Sequence, residues 1–96
     1  MNTDHEKVRA HIILAGRVQG VAFRYYAREV AYRLGVKGWI KNLVSGEVEI
    51  VLEGKRKEVE KMIEWCREGP PLAIVESIEI NWLPYSGEFN QFQIKA

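Results

Sequence analysis

The segment from Gly16 to Arg24 has the residue types and the spacing of a phosphate-binding loop. It reads Gly-Arg-Val-Gln-Gly-Val-Ala-Phe-Arg and contains no acidic residue. The segment joins a predicted strand to a predicted helix, and such a loop exposes backbone N–H groups beside a helix N-terminus, where anions bind. Arg24 falls in the first helical turn, where the helix dipole disfavours a cation. An anion held between Arg24 and the loop would account for this placement.

A second polar candidate, Asn42, closes a strand predicted from Val36 to Asn42. Taken singly, each candidate has a plain structural explanation, because glycines allow turns, arginines are common on surfaces and asparagine is favoured in turns. A functional site is favoured only if Arg24, Asn42 and the loop converge in space. The residues predicted to form the loop are Gly16, Arg17, Val18, Gln19, Gly20 and Val21.

The spacing of apolar residues predicts the elements that must position these candidates. Val8, Ala10, Ile12 and Leu14 alternate as in a strand, and a helix with the C-cap Gly35 follows the loop. A hairpin follows, with its turn at 43–46 and its second strand broken by Gly54. A second helix then carries the apolar residues Val59, Met62, Ile63 and Cys66. The last two elements are a strand with Ile74, Ile78, Ile80 and Trp82 on one face and a short strand with Phe92 and Ile94.

This β-α-β-β-α-β order is typical of a ferredoxin-like α+β sandwich. In that fold an antiparallel sheet carries two helices on one face, and this chain adds a short extra C-terminal strand. Strands one and two run parallel with strand three between them, so their C-terminal ends open at the same edge. The loop follows strand one and Asn42 ends strand two. We therefore expect the loop and Asn42 to meet.

Composition indicates one domain, predicted over residues 8–96 after a flexible polar tail at residues 1–7. A chain of 96 residues with 47% hydrophobic residues can bury one core. A net charge of +1 gives no electrostatic reason to bind nucleic acid or an anionic membrane. Because the N-terminus lacks the apolar core of a signal peptide, and no apolar run approaches about 20 residues, we expect a cytoplasmic protein.

Several common catalytic groups are missing from the sequence. His5 lies in the tail and His11 in a strand, and both are predicted to be surface or packing residues without a carboxylate, serine or thiol partner. Cys66 lies on an apolar helix face and is predicted to be a buried structural thiol. No Cys/His spacing fits zinc, and Asp4 is the single aspartate, so no metal or cofactor is expected. No Gly-Lys-Ser/Thr follows the loop, which argues against a nucleoside triphosphatase.

Two segments together closely resemble the signatures of the acylphosphatase family. They are Gly16 to Arg24 and Gly38-Trp39-Ile40-Lys41-Asn42, and the similarity extends to Glu53-Gly54, Gly69-Pro70-Pro71 and Phe92-Gln93-Ile94. The resemblance implies the ferredoxin-like fold and an enzyme that hydrolyses carboxyl-phosphate anhydrides to a carboxylate and inorganic phosphate. It also implies that Arg24 and Asn42 are catalytic. Departures from the family pattern are Ser45-Gly46 for Asp-Gly, Ala27 for threonine and the C-terminal Lys95-Ala96.

The missing groups agree with such a reaction, because a carboxylate leaves without a general acid. Arg24 is then expected to hold two phosphoryl oxygens, the N–H groups of residues 17–21 the others, and Asn42 the attacking water. The expected protein is a monomer that takes a small acyl phosphate and releases inorganic phosphate. One alternative is a non-catalytic phosphate- or RNA-binding module, although the RNP1 pattern is absent. Another is an interaction module like the acylphosphatase-like domain of larger carbamoyl-transferring proteins, although the chain length favours a free-standing enzyme.

Overall fold

The computed structural model describes residues 5–96, and within them the predicted order of elements is confirmed. Gly54, predicted to break the third strand, lies inside it and pairs with Val8 of the first. The elements are β1 (Lys7–Arg17), α1 (Phe23–Leu34), β2 (Lys37–Asn42), β3 (Val48–Lys55), α2 (Arg56–Glu68), β4 (Ile74–Leu83) and β5 (Phe92–Lys95).

The strands form one sheet in the order β4-β1-β3-β2-β5. β3 pairs antiparallel with both β1 and β2, so β1 and β2 run parallel to each other, as the ferredoxin-like topology predicts. β4 is antiparallel to β1, whereas the extra strand β5 is parallel to β2 and makes the sheet mixed. The C-terminal ends of β1 and β2 therefore open at the same edge, and this edge carries the loop and Asn42.

Both helices pack on the sheet face that bears the even-numbered residues of β1. α1 buries Phe23, Ala27 and Ala31 on the side that faces the sheet. α2 contributes four buried side chains to the same core, Val59, Met62, Ile63 and Cys66. The Cys66 thiol is free and buried, and burial raises its pKa to about 12, so the prediction of a structural cysteine is confirmed.

A bulge changes the face that β4 presents to the core. Ala15 pairs with Ser77 while Gly16 pairs with Val75, so Glu76 is an extra residue on the β4 side. An extra residue reverses the inward and outward alternation beyond it. Val75 therefore packs against the core and Ile74 is 58% exposed. The prediction that Ile74 shares the face of Ile78 and Ile80 is wrong for this reason.

The folded region begins before residue 8, where the domain was expected to start. Residues 1–4 of the predicted tail lie outside the described residues. Lys7 is already in β1, paired with Lys55. The carbonyl of Glu6 accepts a hydrogen bond from the Arg56 N–H at 2.7 Å, and its carboxylate accepts one from Arg56 Nε at 3.1 Å. Glu6 thereby satisfies a backbone donor at the start of α2, where Lys55 provides no side-chain cap.

A buried carboxylate ties the connection between β4 and β5 to the sheet. Glu53 is 3% exposed. Its Oε2 accepts hydrogen bonds from the Ser86 N–H and hydroxyl, both at 2.8 Å, and from Arg9 Nη1 at 3.1 Å. Its Oε1 accepts one from the Gly87 N–H at 3.1 Å. These donors satisfy a charge that would otherwise be costly to bury.

Glu53 should make the stability of the protein depend on pH. Burial alone would raise the pKa of Glu53, but the hydrogen bonds from Ser86, Arg9 and Gly87 outweigh burial and hold the pKa below its ordinary value of 4.5. A carboxyl with a lowered folded-state pKa stabilises the protein above its unfolded-state pKa, and this contribution is lost as pH falls through the folded-state value. Urea unfolding should therefore give a lower free energy of unfolding as the pH falls below 4.5, the ordinary pKa of this carboxyl.

The variant Glu53→Gln isolates this contribution. At neutral pH we expect it to lower the free energy of unfolding by about 1–3 kcal/mol, because donors that faced the carboxylate lose an acceptor. Its stability should also fall less than that of the wild type between about pH 6 and about pH 3.5. Glu60→Gln, an exposed change on α2, serves as the control. If the free energy of unfolding depends on pH equally in the wild type and in Glu53→Gln, Glu53 is not the source of the pH dependence.

Candidate active site

A small open cleft lies where the C-terminal ends of β1 and β2 meet the N-terminus of α1. Its volume is about 200 Å³. Arg24 and Asn42, predicted to converge from separate elements, both line it. The full lining is Val18, Gly20, Ala22, Phe23, Arg24, Tyr25, Asn42 and Ile94.

The backbone between β1 and α1 forms the floor of this cleft. Gly20 has φ 73° and Ala22 has φ 62°, so both adopt the left-handed conformation. This conformation is unfavourable for alanine and is found mainly where the surrounding structure imposes it, often at functional sites. Ala22 is the N-cap of α1 and provides no side-chain acceptor, and the first turn contains no acidic residue. The first N–H groups of α1 are therefore left for an anion.

The six predicted loop residues lie in different surroundings, and two of them, Val18 and Gly20, line the cleft. Gly16 and Arg17 instead form the end of β1 and pair with β4. Gly16 has φ 122°, and a Cβ there would lie 2.3 Å from the Ile74 carbonyl oxygen, so glycine is required for strand packing. Val21 is 6% exposed and packs in the core.

Arg24 stands in the first turn of α1 and is partly buried. Its Nη1 donates to the Lys95 carbonyl oxygen at 3.4 Å. Lys95 is the last residue of β5, so the extra strand helps to direct the guanidinium, while Ile94 lines the cleft. Sequence reasoning missed the contribution of β5, because its pairing with β2 is visible only in the structure.

Asn42 brings an unpartnered acceptor to the cleft. Its Oδ1 is buried and has no hydrogen-bond partner among residues 5–96. Buried polar atoms are nearly always hydrogen-bonded, so an orphaned one requires an explanation. An amide oxygen can accept a hydrogen bond from a water O–H. Asn42 lines the cleft as expected, and its role in holding a water molecule stays a prediction.

Gln19 points away from the cleft and contacts the β2–β3 turn. Its Nε2 donates to the carbonyl oxygens of Leu43 and Glu47, both at 2.8 Å. Sequence reasoning assigned Gln19 only a backbone N–H, and no spacing signal could have identified the acceptors on a separate hairpin.

The two histidine predictions have different outcomes. The prediction that His11 has no carboxylate partner is wrong, because His11 Nε2 lies 2.7 Å from Glu49 Oε2. His11 is opposite Val51 in the β1–β3 register, so Glu49 is its diagonal neighbour on the same face. That is the sheet face opposite the helices, and neither residue lines the cleft. His5, predicted to be a surface residue, is exposed.

The aromatic residues near the two motifs have different positions. Phe23 packs in the core, where it is 2% exposed, and also lines the cleft. Tyr25 lines the cleft and is 51% exposed, so it lies at the rim. Trp39 instead lies on the open sheet face, with Lys95 Nζ 4.5 Å from its ring centroid.

Residues 5–96 contain no group of three or more His, Cys, Asp or Glu side chains that could hold a metal ion. Within the same residues, neither helix is long and apolar enough to cross a membrane.

Comparison with known proteins tests the resemblance seen in the two motifs. The family model described as acylphosphatase matches residues 10–94. The chain belongs to the acylphosphatase family. This membership confirms the sequence prediction and, with it, the expectation of an enzyme.

Individual acylphosphatases match along nearly their whole length. The chain is 49% identical to an acylphosphatase of Pelotomaculum thermopropionicum over 88 residues, which cover 92% of this chain and 96% of the relative. The crystal structure of the acylphosphatase from Bacillus subtilis matches with a TM-score of 0.89 at 32% identity, covering 93% and 99% of the two chains. The fold also matches 12% of the full-length HypF structure, with a TM-score of 0.83, 26% identity and 95% of this chain covered.

Proposed function

We propose that this chain hydrolyses small acyl phosphates to a carboxylate and inorganic phosphate by metal-independent, in-line attack of water. The observation that carries the proposal is that Arg24, Asn42 and the N-terminus of α1 line one cleft. One cleft thus combines an acceptor for water with donors for a phosphoryl group. The curated acylphosphatases that match the chain at about half identity support the same reaction.

The phosphoryl group is bound by one side chain and the backbone. The guanidinium of Arg24 donates two parallel hydrogen bonds to phosphoryl oxygens. The N–H groups of the loop and of the first turn of α1 bind the other oxygens. Phosphoryl transfer passes through a loose transition state with charge on these oxygens, so donors fixed in advance stabilise it directly.

Asn42 orients the nucleophile. Its side-chain amide forms a hydrogen bond with the attacking water and holds the water in line with the bond that breaks. Because the transition state is loose, the water needs correct placement more than a strong base. No carboxylate, imidazole or thiol is found among the described residues that line the cleft, which agrees with this requirement.

The chemistry of the leaving group selects the substrate class. The carboxylate of an acyl phosphate is a weak base and leaves without a proton donor. An alkyl phosphate monoester leaves as an alkoxide and needs a general acid or a metal ion. The cleft lining contains no carboxylate, imidazole or thiol to protonate an alkoxide or to hold a metal ion, so the proposal restricts the enzyme to acyl phosphates.

We further propose a cytoplasmic monomer that acts on the small molecule alone. The net charge of +1 supports neither nucleic-acid nor membrane association. The alternative of a non-catalytic phosphate- or RNA-binding module is not favoured, since the matching relatives are named acylphosphatases.

A substrate panel with a chelator tests the proposed reaction. Purified protein should hydrolyse an aryl acyl phosphate at the same rate with and without excess chelator, because no step uses a metal. Glycerol phosphate, whose leaving group is an alkoxide, should remain unhydrolysed under the same conditions. Loss of activity in chelator with recovery on adding magnesium or zinc would refute the metal-independent mechanism. Hydrolysis of glycerol phosphate at a comparable rate would refute the argument from the leaving group.

A further inference from the structure

The side chain of Gln19 links the loop between β1 and α1 to the turn between β2 and β3. Its amide donates both N–H bonds, one to the Leu43 carbonyl and one to the Glu47 carbonyl, each at 2.8 Å. Carbonyl oxygens can only accept, so the chemistry of the partners fixes the orientation of the amide. Both acceptors belong to the turn between β2 and β3.

That turn is itself held together by backbone hydrogen bonds. The Leu43 N–H donates to the Glu47 carbonyl at 2.8 Å, and the Gly46 N–H donates to the Leu43 carbonyl at 3.0 Å. Gln19 therefore bonds to a closed turn rather than to a free strand end. Fixing two of its carbonyls fixes the start of the turn, which directly follows Asn42.

On the other side of the link, Gln19 sits between two residues of the phosphate-binding backbone. Val18 and Gly20 line the cleft, whereas the Gln19 side chain extends toward the turn. Gln19 thus connects two parts of the site. One is the backbone of Val18 and Gly20, which faces the phosphoryl group, and the other is the end of β2, which carries Asn42.

We infer that Gln19 is a positioning residue that sets the distance between the bound phosphoryl group and the water held by Asn42. The inference rests on the proposed function, since it assumes that Asn42 orients the attacking water. Without the two hydrogen bonds, the loop and Arg24 still bind phosphate, but Asn42 is no longer fixed relative to it. A misplacement of about 1 Å between reacting groups can reduce the rate on the order of 100-fold.

Gln19→Met tests this by removing both donors while keeping the side-chain length. We expect kcat to fall roughly 10-fold to 100-fold, while the inhibition constant for inorganic phosphate changes less than about threefold. Gln91→Met, at an exposed glutamine outside the cleft, is the matched control and should retain the wild-type kcat. A Gln19→Met protein with lower thermal stability but kcat within about twofold of wild type would overturn the inference, because a purely structural residue behaves in that way.

A double-mutant cycle separates this inference from the proposed function. If Gln19 acts through Asn42, Gln19→Met should reduce kcat little further in the Asn42→Ala background. If the kcat of the double variant is reduced by the product of the two single-variant factors, the inference is overturned and the role of Asn42 is intact. A folded Asn42→Ala protein with wild-type kcat would instead overturn the proposed function, whatever the effect of Gln19→Met.

Gln19→Glu gives a second readout that does not depend on comparing stabilities. A carboxylate at this position faces two carbonyl oxygens, which disfavours its ionised form, whereas the protonated form can donate one hydrogen bond. We expect the kcat of Gln19→Glu, relative to wild type, to rise at least about threefold as the pH is lowered from about 7.5 to about 5. A kcat for Gln19→Glu equal to that of the wild type at about pH 7.5, where an ionised carboxylate cannot donate to the two carbonyls, would overturn the inference.

Discussion

Arg24→Ala is expected to lower kcat by at least about 10²–10³-fold, or about 3–4 kcal/mol, the usual loss when a preorganised donor to transition-state charge is removed. The variant should also bind inorganic phosphate poorly, because in the proposed mechanism Arg24 contacts the phosphoryl oxygens before and after reaction. Steady-state kinetics with an aryl acyl phosphate and competitive inhibition by phosphate measure the two effects. Arg33→Ala, an exposed change in the last turn of α1, is the control and should retain activity.

Arg24→Lys examines the geometry of binding rather than its charge. A lysine ammonium cannot reproduce the planar, two-pronged donor of arginine, so we expect serious impairment although the charge is kept. The bond from Arg24 Nη1 to the Lys95 carbonyl shows that the guanidinium is also positioned from β5. Near-normal activity of Arg24→Lys would refute two-pronged recognition and make Arg17 the next arginine to test.

Asn42→Ala should have a different kinetic signature. In the proposed mechanism its amide acts when water attacks, so kcat should fall roughly 100-fold or more, while KM and inhibition by phosphate change much less. Asn42→Asp should in addition weaken phosphate binding, because a carboxylate beside the cleft repels the phosphoryl group. Asn81→Ala on β4, outside the cleft, is the control. Unchanged kcat in a folded Asn42→Ala protein would remove Asn42 from the site.

Local sequence patterns explain why much of the fold, and the meeting of Arg24 and Asn42 in one cleft, could be predicted. The alternation from Val8 to Leu14 and the helical spacing after Phe23 each depend on a single buried face. Once the order of strands and helices is known, the topology alone brings the ends of β1 and β2 to one edge. The cleft shared by Arg24 and Asn42 follows from that edge.

The features that were missed depend on register and on long-range contacts. His11 meets Glu49 because of the pairing between β1 and β3, which the hydrophobic alternation does not specify. Ile74 turns outward because of one extra residue, Glu76, in β4. Ala22 adopts a left-handed conformation that its residue type does not favour, so only the surrounding structure accounts for it.

The proposed mechanism requires that water attacks the phosphorus atom, and hydrolysis in ¹⁸O-labelled water shows which atom is attacked. An aryl acyl phosphate is converted by the enzyme in labelled water, and mass spectrometry locates the label in the two products. A parallel reaction without enzyme measures the uncatalysed background. Attack in line at phosphorus places one ¹⁸O atom in inorganic phosphate and leaves the carboxylate unlabelled, which is the result we predict. Label in the carboxylate would show attack at the acyl carbon and would contradict the roles assigned to Arg24 and Asn42.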